Sequence, residues 1–497
     1  MWRTAGSPGG LQHRVVVSGS GLFIAVFIGA GIVNAPKVTL AVVFAMALLA
    51  VFAVGPTWFV VPGLIIGTVA VPYVVFQASR GLGGFGSTPL SGQARLVLCV
   101  AAVVALRRAA VGARFEVPSA ALPILAVFVA GIAISLATAA VRGTLYAGFV
   151  GDLYRQMTYP LAMFIGLEAG RSARNATARA KLYGSLALAA CFAFALSIWY
   201  WGWITGRVGA PGVVAGTFSD VRGQSIFQER SIVPFIQDSP NGQAIDFALL
   251  AALAVPPLLF SGSKRSGRAA TAVLVLAVAA ILTTQSRTGI AAMAIAPMAW
   301  VAFVSARGAR VRAFIGGAVL VVALIVGAGF YQNDRSLSLA SGTFVARTSI
   351  WAQALGKFKE SPVLGQGFHY SGQPNFVEPP SLYGAPQAHA QTVEDEYLGQ
   401  AVDGGLVGFA LFLAFLIFLG RLGLRLARTE ATKLEGVAFL SVLSVFCVGM
   451  VSTAALQNPT VACFIWLALG LALGAEQREG MSHRAHDATG SPDAEST

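Results

Sequence analysis

Apolar residues come in runs of about 17 to 22 along most of the chain, separated by short polar breaks. Runs of that length cross a hydrocarbon core as helices. Backbone amides in lipid must be satisfied within their own segment, so the fold class expected is all-α, a polytopic membrane helix bundle. Hydropathy places about fourteen spans, roughly at 20–34, 38–54, 57–76, 93–106, 119–140, 155–169, 182–203, 241–260, 269–284, 288–305, 311–330, 398–420, 435–452 and 457–475. Without the two short ones, 93–106 and 155–169, twelve remain. Two long hydrophilic connections, about 204–240 and 331–397, interrupt the series. A tail from about Gln477, rich in Ser, Asp, His and Gly, reads as disordered.

Composition supports this class. Of 497 residues, 56% are hydrophobic and only 11% charged, whereas a soluble domain carries roughly a quarter charged. The formal net charge of +13 would suggest nucleic acid in a soluble protein, but no basic-aromatic surface of that kind is present. The basic residues follow the spans instead. Arg107, Arg108 and Arg114 form one cluster, and Arg171, Arg174, Arg179 and Lys181 the next. Lys264, Arg265 and Arg268, then Arg307, Arg310 and Arg312, then Arg421, Arg425, Arg428 and Lys433 complete the series. Fourteen spans put all of them on one face with both termini, and the positive-inside rule makes that face cytoplasmic. Both long connections are then external. The N-terminus, with Arg3 and Arg14 ahead of an apolar stretch, reads as a retained first helix because further spans follow. Cys99, Cys191, Cys447 and Cys463 lie inside apolar runs without metal-ligand spacing and are read as structural thiols.

Against this background the turn Thr284-Gln285-Ser286-Arg287-Thr288-Gly289 is unusual, because it places a permanent cation between two spans with no room for a soluble loop. Arg offers a planar fork that binds phosphate oxygens in pairs, so an anionic substrate is expected. Two more external arginines qualify. Arg230 precedes Asp238-Ser239-Pro240-Asn241-Gly242, a turn into the next helix. Arg347 lies four residues before Trp351, and Trp351, Ala354, Leu355 and Phe358 predict one apolar face of an amphipathic helix lying on the membrane.

The same loop closes on His389 and on Glu394-Asp395-Glu396, three acids entering a helix. Capping explains part of that run, since a helix N-terminus favours negative charge. The alternative is a general base, and Glu394, Asp395 and His389 are the candidates. His369, beside a Gly-rich turn, is the weaker histidine, while His13, His483 and His486 fall in cytoplasmic tails. Gly81-Leu82-Gly83-Gly84-Phe85-Gly86 matches a dinucleotide fingerprint only formally, with no strand ahead of it. Asn175-Ala176-Thr177 is a glycosylation sequon on the cytoplasmic face, hence chance. No metal-ligand set stands out beyond the Glu394 cluster, so no metal and no cofactor are expected.

The order of these pieces resembles the O-antigen ligase and O-antigen polymerase superfamily of bacterial membrane glycosyltransferases. Pro240-Asn241-Gly242 enters a span, Ser286-Arg287-Thr288-Gly289 follows, then Arg347 with Trp351, then Ser361-Pro362 and Leu364-Gly365-Gln366-Gly367-Phe368. Glu394-Asp395-Glu396-Tyr397-Leu398 and Gly404-Gly405-Leu406-Val407-Gly408 close the series. The resemblance covers about 230–415. It divides the chain into N-terminal helices (1–229), a catalytic core (230–415) holding the external loop 331–397, C-terminal helices (416–476) and a cytoplasmic tail (477–497).

The resemblance implies a transferase at the outer face of the bacterial inner membrane, embedded among membrane lipids. It would take a saccharide from a polyprenyl diphosphate-linked glycan donor and pass it to a glycan or lipid acceptor. By the same resemblance Arg287, Arg230 and Arg347 hold the diphosphate. Ligases of this group carry His-Asn where this chain has Glu394-Asp395, which tilts the reading toward a polymerase. The rival is a secondary transporter or lipid flippase, which should show repeat symmetry and ionisable groups at the bilayer midplane. No repeat is evident, and polar residues collect in the external loops instead.

Overall fold

The computed structural model describes residues 60–65, 89–110, 117–204, 240–259, 263–284, 286–304, 342–378 and 389–489. The expected spans at 20–34, 38–54 and 311–330, together with Arg230, lie outside the described residues. Within them the chain is almost wholly helical: α1 (Pro89–Ala110), a 3-10 turn (Ser119–Ala121), α2 (Leu122–Arg142), α3 (Phe149–Thr158), α4 (Leu161–Ser172), α5 (Ala176–Ile204), α6 (Pro240–Leu259), α7 (Lys264–Thr284), α8 (Arg287–Val304), α9 (Gly342–Glu360), α10 (Glu396–Arg428), α11 (Lys433–Gly449) and α12 (Pro459–Thr489). The strands β1 (Phe376–Glu378) and β2 (His389–Gln391) form one antiparallel pair with Glu378 opposite His389. Six of the described helices are long and apolar enough to cross a membrane. The protein is a polytopic helical membrane protein.

Alternation of the helices separates two ends. At one end Arg108 pairs with Glu168, Arg171 with Gln477, and Arg478 with Glu435 and the Ala173 carbonyl. Arg425 pairs with Glu476 close by. This is the end where the described basic clusters gather. The other end holds the C-termini of α2, α7 and α11 and the N-termini of α6, α8, α10 and α12, with α9 and the strand pair beside them.

Burial is distributed unevenly between helices. α6 sits in the centre, packed against α5, α7, α8, α11 and α12, and Ala244 to Val255 are all buried. α2 exposes Leu122, Val129 and Val141, as expected for a helix bathed in lipid. α4 and α12 approach most closely, through Gly166 and Gly170 on one helix and Gly470 and Gly474 on the other. A side chain at any of the four would collide with the facing backbone. Small residues four apart let membrane helices pack backbone to backbone, where dispersion supplies the attraction that lipid cannot.

Three elements of the bundle depart from the sequence expectation. The predicted span 155–169 is two helices, α3 and α4, because Pro160 has no amide hydrogen to continue the ladder and its ring crowds the preceding turn. α10 is broken at Gly405, whose φ of 61° and ψ of −158° suit only glycine. Residues 362–367 thread through the break. Leu406 and Val407 donate to the Pro362 and Val363 carbonyls at 2.8 and 3.1 Å, while Gln366 and Gly367 donate to Val402 and Asp403 at 2.8 and 2.9 Å. Every backbone group named here is paired, which is what makes irregular backbone tolerable within a membrane helix bundle. α12 continues as helix to Thr489, past Gln477 where the composition predicts a disordered tail.

Candidate functional site

The polar turn before α8 folds for local reasons. Ser286 caps the helix, its Oγ accepting from the Gly289 amide at 3.1 Å and donating to Asn241 Oδ1 at 2.9 Å. Gly289 lies against Ala244 of α6, where a side chain would not fit. Ser286, Gly289 and Asn241 are thereby explained by packing. Arg287 is not. It is exposed at the first helical position, where the helix dipole disfavours a cation and favours an anion. Partial burial, and after it the charge of Arg347, lower the pKa of Arg287. The structure thus brings two of the three sequence-predicted arginines within electrostatic reach of one another.

Arg347 is held on α9, though not as its sequence suggests. Ile350, Ala354 and Phe358 pack with Phe376, Val393 and Val402, whereas Leu355 is 48% exposed. The buried face is turned away from the Trp351–Leu355 edge and rests on protein, namely α10 and β1. Arg347 is on the line 347, 350, 354, 358, so packing aims it at α10. There its Nη2 pairs with Glu394.

The three acids at the start of α10 occupy three different settings. Glu394 is half-exposed and paired with Arg347. Asp395 is the N-cap, Oδ1 accepting from the Leu398 amide at 2.9 Å. Burial raises its pKa, against the opposing pull of the Leu398 and Tyr397 amides and of Arg347. Glu396 is buried, accepting from Gln400 Nε2 at 2.7 Å and from the Leu456 amide at 3.0 Å. Only Glu394 keeps a carboxylate open to a ligand. His389 begins β2, with its backbone opposite Glu378.

A second cluster was not legible. Arg142 at the end of α2 donates to Ser361 Oγ at 2.6 Å and to Gln366 Oε1 at 3.2 Å. It fastens the Ser361–Phe368 segment to the bundle. Beyond it, Asp152 on α3 takes Tyr146 and Arg155 as partners, with His369 Nε2 at 3.3 Å from its Oδ2. His369 is the sole non-glycine residue with positive φ (55°) among the described residues. Its ring lies over Gly372, which leaves no space for a side chain there. Burial, and then the charge of Arg155, push its pKa down to about 4, so it is neutral at pH 7. Burial likewise pushes the Tyr146 phenol up to about 12. The sequence signal for this cluster is faint. Asp152 and Arg155, three residues apart, look like an ordinary helical ion pair. Among the described residues no three His, Cys, Asp or Glu side chains converge as a metal site.

Residues 272–413 match the family model for O-antigen ligase. The match runs from α7 into α10, so it contains Arg287, Arg347, His369 and Glu394, and leaves out Arg142, Asp152 and Arg155. No curated protein matches the chain.

Proposed function

We propose that this protein, whose residues 272–413 match the family model for O-antigen ligase, moves a saccharide from a polyprenyl diphosphate carrier to a hydroxyl acceptor at the outer face of the bacterial inner membrane, as a polymerase-type member of the superfamily. The observation that carries the proposal is the convergence of Arg287, Arg347 and Glu394 at the end of the bundle away from the basic clusters. Glu394-Asp395 standing where ligase-like sequences carry His-Asn supports the polymerase assignment.

In this reading Arg287 and Arg347 hold the diphosphate, with Arg230 completing the set. The acceptor hydroxyl attacks the anomeric carbon. The bond from that carbon to the diphosphate oxygen breaks, and the electron pair leaves on the diphosphate. Preorganised guanidinium groups stabilise that developing charge. The hydroxyl proton passes to Glu394 as general base. Arg347 serves both partners: while it is paired with Glu394 the carboxylate is occupied, and a diphosphate that draws Arg347 away frees it. Asp395 stays in its cap and fixes the start of α10. His389 is the alternative base.

The test is glycan output from cells lacking the gene, complemented with wild type or Arg287→Ala at equal membrane levels. Single carrier-linked repeats that accumulate, and are cleared by wild type alone, support the proposal. Long carrier-linked chains beside a bare acceptor make the protein a ligase. Full rescue by Arg287→Ala removes the diphosphate assignment and returns weight to a transporter.

A further inference from the structure

A cavity of about 60 Å³ lies between α2 and α10, and its walls are mostly apolar. Phe128, Gly131 and Ile132 line it from α2, and Gly408, Phe412 and Phe415 from α10, at the three- and four-residue steps of one helical face. From Gly408 to Phe415 that face runs about 10 Å at 1.5 Å per residue. A space of this volume over that length is a narrow slot along the helix axes. Its polar lining, Ser135, Gln400 and Gln457 among it, gathers at the end away from the basic clusters. The Asp403 carboxylate there is taken up by the Ser371 amide and hydroxyl at 2.7 and 3.0 Å.

Two glycines keep the slot open. No atom comes within 4 Å of the place a Cβ would take at Gly131, and the nearest to one at Gly408 are 3.9 Å away. Between α4 and α12 glycines bring two backbones together, whereas here they leave room. In lipid the attraction between helices rests on dispersion across their contacts. A gap forfeits those contacts, and a hydrocarbon chain restores them. Water would not, because apolar walls offer it no partners. α2 depends on such a filler more than α6 does. Only 22% of its apolar stretch is buried, against 94% for α6, and it packs chiefly on α10. Val127, Gly131 and Leu411 line the slot while only partly buried, so it is open to the bilayer at its side.

The order of packing is α2, α10, α11, α8, so two helices separate the slot from Arg287. A donor held at Arg287 would keep its chain elsewhere. No lysine or arginine lines the slot to hold a diphosphate. The occupant that fits is the lipid already surrounding α2. We propose that the slot binds one acyl chain of a membrane phospholipid, which wedges between α2 and α10 and completes their packing. About 10–15 Å³ holds one water, so about 60 Å³ admits a short length of a single chain. The chain also supports the loop above it, because α2 holds Ser361 and Gln366 through Arg142 and the Phe368 amide through the Ser135 carbonyl. The inference does not rest on the transferase reading.

The test uses the full chain in liposomes of phosphatidylglycerol whose acyl chains carry bromine near mid-chain, with unbrominated liposomes as reference. Bromine quenches indole fluorescence at close range. Phe128 and Phe415 line the slot and pack on Trp466, with ring centroids 5.1 and 5.7 Å from it. Trp466 itself is 1% exposed, so bromine reaches it through the slot. The protein has eight tryptophans, so the Trp466 share is read as the difference from Trp466→Phe in each background. The expected result is a Trp466 that is quenched in the wild-type background and protected in Gly131→Leu, whose side chain fills the slot. Gly408→Ala fills less of it and should protect in part. Size-exclusion chromatography shows that each variant folds, and Gly408→Ala carries the test if Gly131→Leu does not. An unquenched Trp466, or equal quenching in the folded filled variant, overturns the inference. Undecaprenyl diphosphate is then added to the same liposomes. Unchanged quenching supports a phospholipid chain, and relief of quenching gives the slot to a polyprenyl chain and overturns the assignment.

Discussion

Arg287 and Glu394 stand in the open at the end of the bundle, with Arg347 partly buried against Glu394, whereas His369 and Asp152 are packed among Phe368, Tyr146 and Gly372. Half of the Glu394 side chain is accessible, against 11% for His369 and 10% for Asp152. The open cluster is rich in permanent charge, and its Arg347–Glu394 ion pair is one that a competing anion can exchange. The closed cluster keeps its histidine neutral and fixes it from several sides. A diphosphate leaving group, as proposed, needs full charges that can rearrange around it, which the open cluster supplies and the closed one does not.

Mutations should separate the two clusters by the size and kind of their effects. The largest is expected from Arg287→Ala, which should lower initial transfer rates about a thousandfold with membrane levels unchanged, since it removes a donor aimed at developing charge. Arg287→Lys should recover only part of this, because an ammonium cannot make the paired contact. Rate measurements on a purified lipid-linked donor check both. Glu394→Gln should lower the rate about a hundredfold and should tighten donor binding, because it frees Arg347 from its carboxylate. A Glu394→Gln variant with weakened donor binding would break the proposed competition for Arg347.

The smallest effect should appear on acidification. His369 titrates at about 4 in the fold against 6.5 for the free side chain. Below pH 6.5 the unfolded chain therefore takes up a proton that the fold refuses. Stability is complete above 6.5 and is lost progressively as pH falls toward 4. Thermal melting from pH 7 to 4 should drop further for wild type than for His369→Gln. Asp152, Arg155 and Tyr146 face the ring and are common to both proteins, so the comparison isolates the imidazole. Equal slopes for the two proteins would show that the histidine is not held neutral.

The open cluster was legible in the sequence because its residues violate local expectations. A cation at a helix N-terminus between two apolar runs, and an acidic run opening a third, both stand out against lipid-compatible sequence. The helical class and most span positions were legible for the same reason, since hydropathy needs no tertiary information. The closed cluster was not. Asp152 and Arg155 satisfy helical spacing, and His369 follows a Gly-rich turn of the kind that ordinarily marks a loop. Only the docking of residues 361–368 against α2, through Arg142 and the Phe368 amide on the Ser135 carbonyl at 2.8 Å, brings them together. The packed face of α9 runs through Ile350 where the sequence points to Trp351 and Leu355, because Leu355 is as apolar as Ile350. Pairing with β1 and α10, which the sequence does not reveal, decides between them. The break at Gly405 was hidden too, because Gly404-Gly405 sits in an otherwise continuous apolar run.

That break bears on how the protein is made. Within hydrocarbon, the amides of Leu406 and Val407 and the carbonyls of Val402 and Asp403 would each cost several kcal/mol if left unpaired. Their partners lie in residues 362–367, which leave the ribosome some forty residues earlier. α10 therefore enters the bilayer either as an unbroken helix that opens later, or already joined to the segment that fills its gap. Assembly of this region is an ordered event, in which the loop must be present before the helix can take its final shape.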